Sequence, residues 1–167
     1  DQRFASKRPD VLVYSSPPLT EDVSLAGPID ASLWVSTTGT DADFIVKVID
    51  VFPEGYPEPD PNPREVRMGG YQMLVRAEVM RGKFRNSLEH PEAFKPGEPT
   101  LVHITLPDVC HAFRPGHKIM VQIQSTWFPL VDRNPQTYVP NIYRATAKDF
   151  TPATMTVFRS AAKASGV

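Results

Sequence analysis

The stretch that decides the fold is residues 116–141, GHKIMVQIQSTWFPLVDRNPQTYVPN. Its first part alternates: Lys118, Met120, Gln122 and Gln124 point one way, Ile119, Val121, Ile123 and Ser125 the other. Successive side chains of an extended backbone leave on opposite faces, so this is a strand with one apolar face, at home in a two-layer β structure. The second part is a proline-broken aromatic loop that gathers Trp127, Phe128, Asp132, Arg133 and Asn134. Such residues on a strand-end loop serve a contact or a pocket, because loops carry function while strands carry packing. The stretch holds no nucleophile beside its base, no metal-ligand cluster and no phosphate cradle.

Outward from there, the strongest strand signal is FIVKVIDVF at 44–52, β-branched and aromatic, and apolar on both faces except at Lys47 and Asp50. Segments 44–51 and 118–125 are therefore the expected central strands. Further candidates lie at 11–14, 23–26, 29–38, 71–79, 100–106 and 155–159, with Gly27-Pro28 expected to break the second of these from the third. Residues 53–63, PEGYPEPDPNP, carry five prolines and read as an exposed extended loop. One helical turn is expected at 148–153 and a frayed end at 161–167. Eight or nine short strands with little helix make the chain all-β, an antiparallel sandwich or jelly roll. The 18 prolines among 167 residues fit such a turn-rich fold, and the length fits one domain.

A net charge of −1 argues against a nucleic-acid binder, and no run is long and apolar enough for a membrane helix. The lone Cys110 leaves no internal disulfide. Cys110-His111 with His117 invites a thiol nucleophile or a metal site, but neighbours on a strand point to opposite faces and no second cysteine exists. A core cysteine and turn histidines are the plainer expectation. Asp41, Asp43 and Asp50 are too few for a calcium shell and read as local backbone acceptors. Ser36, Ser125 and Thr126 lie in no G-x-S-x-G elbow. Trp34, Trp127, Phe128, Tyr138 and Tyr143 could stack on sugar rings or anchor a domain interface. Arg133 beside Asp132, between Pro129 and Pro135, suits a fixed polar loop that offers a bidentate contact to a carboxylate. No cofactor or metal is expected.

Several stretches together resemble one family: RPDVLVY at 8–14, LAGPID at 25–30, STTGTDADFIVKVIDVFPEG at 36–55, GGYQMLVRAEVMRGKFRNSLEHPE at 69–92, PGEP at 96–99 and FRPGHKIMVQIQSTWFPLVDRNPQTYVPNIY at 113–143. They look like the C-terminal jelly-roll domain of the serine hydrolases that group X-Pro dipeptidyl-peptidase, cocaine esterase, glutaryl-cephalosporanate acylase and α-amino-acid ester hydrolase. The WFPL, DRNPQT, VPN and GGYQ stretches are most similar to the last two. Thr126 stands where Ser is frequent, and Leu130 where some branches carry a basic residue.

The resemblance implies a galactose-binding-like jelly-roll β-sandwich, with residues 1–167 a single C-terminal domain of a larger hydrolase. The Ser, His and Asp of that family sit on a separate α/β-hydrolase domain, so no catalytic residue carries over to this chain. The implied parent cleaves amide or ester bonds through an acyl-enzyme. Its implied partners are that α/β-hydrolase domain of the same polypeptide and a small acyl or peptide substrate shared with it, with no nucleic acid or membrane. Trp127, Phe128, Asp132, Arg133 and Asn134 are the expected pocket or domain-interface face, touching substrate or only the neighbouring domain. Relatives suggest a periplasmic or secreted homo-oligomer. A carbohydrate-binding β-sandwich module and a free-standing structural module are the competing readings.

Overall fold

The computed structural model describes residues 1–167 and contains nine strands, three single 3-10 turns and no α-helix. The strands are β1 (Val11–Ser15), β2 (Val23–Thr37), β3 (Asp43–Val51), β4 (Gln72–Arg81), β5 (Thr100–Phe113), β6 (Lys118–Gln124), β7 (Met155–Val157), β8 (Arg159–Ser160) and β9 (Lys163–Ala164). One sheet has the order β1-β6-β3-β4, a second β5-β2-β7, and β8 pairs with β9 as a small ribbon. β2 and β7 run antiparallel, with Val35 facing Val157 and Ser36 facing Thr156. Segments 44–51 and 118–125, expected to be central, are the inner strands β3 and β6.

The chain folds as two compact units, one of Asp1–Ile29, Val46–Ala77 and Leu106–Ile123, the other of Asp30–Ile45, Glu78–Thr105 and Gln124–Val167. The first buries Val46, Val48, Ile49, Leu106, Val109, Phe113 and Ile123; the second buries Leu33, Val35, Phe44, Ile45, Phe94, Val102 and Ile104. Each such side chain contributes about 1.5–3 kcal/mol of burial.

The structure departs from the sequence expectations at four places. Gly27-Pro28 does not break the chain: β2 runs through it with odd-numbered residues kept inward from Val23 to Val35. Gly27, at φ 106°, absorbs the irregular step, and Pro28 turns its ring to the exposed face. Second, β5 continues past 106 and changes phase. Val102, Ile104 and Leu106 are buried, Pro107 and Asp108 are both exposed, and then Val109 is buried. That one-residue slip turns Cys110 outward, so the expected core cysteine is exposed. Third, β6 has no solvent face along its second half. Met120, Gln122 and Gln124, the expected polar side, are as buried as Ile123, and Gln122 is 0% exposed. Fourth, residues 161–167 are tied down rather than frayed. Gly166 exchanges backbone hydrogen bonds of 2.9 Å with Ser32, and the backbone N–H of Trp34 donates to Ser165 Oγ at 2.9 Å.

Candidate functional site: the loop after the sixth strand

The loop that follows β6 is held by a buried polar strap. Asp43, at the start of β3, accepts from Asn134 Nδ2 at 2.8 Å through Oδ1 and pairs with Arg81 Nη2 at 3.1 Å through Oδ2. The same Arg81 nitrogen donates to the backbone carbonyl of Asp132 at 2.9 Å, so one guanidinium joins β3, β4 and the loop. Asn134 closes its own turn by accepting from Gln136 N–H at 2.8 Å. The N–H groups of Thr40 and Asp41 donate to the Gln136 carbonyl at 3.0 and 3.3 Å, and Tyr138 N–H donates to Thr40 Oγ1 at 2.8 Å. Lys83 Nζ donates to the Val139 carbonyl at 2.8 Å.

Gly39 makes the close approach of 38–41 to the loop feasible, since a Cβ there would collide with the Gln136 carbonyl oxygen. Asp41 is the local acceptor its position suggests, taking the N–H groups of Ala42 and Lys83 at 2.9 and 3.2 Å. Burial pushes the carboxyls of Asp41 and Asp43 above their ordinary range. For Asp43 the hydrogen bonds from Asn134 and Arg81 and the charges of Arg81 and Lys83 oppose that rise.

The five residues singled out from the sequence divide by this geometry. Asn134 is buried and serves the strap. Trp127 is half-buried and has partners within the chain. Phe128, Asp132 and Arg133 are exposed, and with Ile142, Tyr143 and Phe150 they line a shallow cavity of about 200 Å³. The Arg133 guanidinium lies over the Phe128 ring, 5.2 Å from its centroid. Within the chain the Asp132 carboxylate accepts no hydrogen bond, the Arg133 guanidinium donates none, and neither forms an ion pair. Ile142 and Phe150 are cavity walls that no motif in the sequence marks. The available signal is a pair of aromatic rings left outside any strand, Tyr143 and Phe150, which are 83% and 44% exposed.

A second cluster surrounds Asp50. His111 Nε2 lies 2.9 Å from Asp50 Oδ2, and His117 Nδ1 lies 2.7 Å from Asp50 Oδ1. With the carboxylate oxygens accepting, His111 carries its proton on Nε2 and His117 on Nδ1. His117 also meets Phe52 at 4.6 Å between ring centroids. The histidines expected in turns are thus hydrogen-bonded to one buried carboxylate, and His117 itself is 5% exposed. Asp50 has both oxygens engaged by imidazoles, an arrangement for cross-linking strands rather than activating a nucleophile. No group of three or more His, Cys, Asp or Glu side chains is placed to hold a metal ion.

The model of the X-Pro dipeptidyl-peptidase C-terminal non-catalytic domain matches residues 2–167. The chain belongs to that family. As an X-Pro dipeptidyl-peptidase C-terminal domain it is an all-β, jelly-roll-like sandwich without catalytic machinery of its own. It is 36% identical over 137 residues to the cocaine esterase of Rhodococcus sp. (strain MB1 Bresler), covering 82% of this chain and 21% of that protein.

Among solved structures it resembles an α-amino acid ester hydrolase at 44% identity with a TM-score of 0.91, covering 99% of this chain and 26% of the other. An aminopeptidase from the marine sediment archaeon Thaumarchaeota archaeon matches at 45% identity and a TM-score of 0.91, with the same coverage. A CocE/NonD family hydrolase from Staphylococcus aureus, at 19% identity and a TM-score of 0.56 over 74% of this chain and 24% of the other, shares the fold. The domain therefore spans about a quarter of the length of the relatives it matches.

Proposed function

We propose that this domain is the C-terminal part of a serine hydrolase that cleaves amide or ester bonds through an acyl-enzyme, of peptidase, acylase or α-amino-acid ester hydrolase type. It packs on the α/β-hydrolase domain of the same polypeptide, and the loop after β6 helps wall the acyl pocket. The observation that carries this reading is the state of that loop. Phe128 and Leu130 stand 61% and 69% exposed on a loop whose next residues, Asp132 and Asn134, are hydrogen-bonded to Arg81 and Asp43. Large apolar side chains held rigidly in water mark a surface that another body covers. The chemistry belongs to that other body: an elbow serine attacks, a histidine moves the proton and backbone amides hold the oxyanion.

The carbohydrate-module reading asks for parallel rings free to stack over a cleft, and at the cavity after β6 the face of the Phe128 ring carries the Arg133 guanidinium instead. A fluorophosphonate probe tests the proposal. In the full polypeptide it should label one serine outside residues 1–167 and abolish turnover of an activated ester. Labelling within the domain, or turnover by the domain alone that survives Cys110→Ala, would overturn it. The periplasmic or secreted location belongs to the same proposal, and fractionation of cells expressing the full polypeptide checks it.

A further inference from the structure

Arg133 is fixed at its base and open to solvent at its tip. The strap through Asp43, Arg81 and Asn134 fixes the backbone on either side of it, at Asp132 and at Asn134. The Phe128 ring supports its guanidinium plane. The five N–H donors of the guanidinium meet no acceptor of the chain, and neighbouring Asp132 does not turn to pair with it. The same shallow cavity is lined by Phe128, Tyr143 and Phe150, all exposed. An arginine amid aromatic side chains is the composition of an interface anchor rather than of ordinary surface. A covering body that left this arginine buried without an acceptor would strand a charge, which is strongly unfavourable. The cover must therefore bring acceptors, and the planar fork of arginine best fits a carboxylate, in two parallel charge-assisted hydrogen bonds.

We infer that the Phe128–Arg133–Tyr143 face docks the catalytic domain of the same polypeptide, and that an aspartate or glutamate of that domain forms a bidentate ion pair with Arg133. This rests on the proposal that the domain is one part of a longer hydrolase. The occupant follows from length: relatives aligned over 99% of this chain are about four times as long, so most of such a polypeptide lies outside these residues.

The test uses the full polypeptide. In an Arg133→Lys variant, a carbodiimide should join the amine at position 133 to one carboxylate as an amide, mapped by mass spectrometry to the catalytic domain of the same molecule. Arg133→Glu should lower the unfolding midpoint of the full polypeptide by several degrees, and changing the mapped carboxylate to lysine in that variant should restore it. A cross-link between two molecules would assign the face to a second copy, and the inference falls. It falls equally if no cross-link forms, or if Arg133→Glu raises KM while the midpoint stays put, since the arginine would then meet substrate. Each of these failures leaves the serine labelled by the fluorophosphonate in place, so loss of the docking inference and loss of the hydrolase reading are separate results.

Discussion

Asp50 shows what one buried carboxylate does when two imidazoles share it. It lies 2% exposed on β3 and receives His111 from β5 and His117 from the turn before β6, residues 61 and 67 positions away in the chain. Asp50→Ala strands both imidazole N–H groups, and each buried unsatisfied donor costs about 1–3 kcal/mol. The expected loss is about 3 kcal/mol, read as a lower urea midpoint with an unchanged slope. His117→Ala should cost more than His111→Ala, because the His117 side chain is 6% exposed and meets both Phe52 and Tyr56, whereas the His111 side chain is 19% exposed and meets Phe113. Equal losses for the two histidines would show that the hydrogen bonds to Asp50, and not packing, set the cost.

At the scale of elements, the turn 38–41, the start of β3 and the end of β4 together position the loop after β6. Gly39→Ala would drive a methyl into the Gln136 carbonyl and break the paired N–H contacts of Thr40 and Asp41, for an expected cost of about 1–3 kcal/mol. Asn134→Asp keeps the shape but sets a carboxylate 2.8 Å from Asp43, and like charges at that distance disfavour ionisation of both. Both variants should speed amide hydrogen exchange at 136–138 while leaving the amides of β2 and β7 protected. Uniform acceleration would mean that the strap supports the whole fold. Much of this level is legible in the sequence. The alternation in β6 and the apolar run of β3 mark the inner strands, and the proline-bounded Asp132-Arg133 pair marks a fixed loop. The rest is hidden for physical reasons. Period-two reading assumes constant phase, which the slip at Pro107-Asp108 breaks, and Cys110 turns outward as a result. The partners of Asp43 and Asp50 lie 38 to 91 residues away, beyond any local pattern. Asn134 reads as part of the pocket or domain-interface face because nothing in its neighbourhood names Asp43.

Across the whole molecule, buried charge sets how stability responds to pH. Lys47, 1% exposed, donates to Gln2 Oε1 at 2.9 Å, and burial together with the charge of Arg8 lowers its pKa from 10.5 to about 8. Between those values the unfolded chain binds the proton that the folded chain has released, so stability rises with pH through that window. The full penalty stands below pH 8 and corresponds to about 3 kcal/mol. On the acid side, Asp41 and Asp43 hold protons more tightly folded than unfolded, so they add stability as pH falls through their raised values toward 3.8. Asp10, paired with Arg8, is lowered and works the other way, its contribution being lost as pH falls through its folded value. The alkaline limb isolates one residue. Denaturant unfolding at about pH 7 and about pH 10 should show the native chain gaining up to about 3 kcal/mol at the higher pH, a gain that Lys47→Met removes by already lacking the buried ammonium. The variant should also be the more stable of the two at neutral pH, provided the hydrogen bond to Gln2 and the other contacts of the Lys47 side chain together cost less than that penalty. An identical rise in both proteins would place the alkaline gain on other groups and leave Lys47 solvated in the folded state.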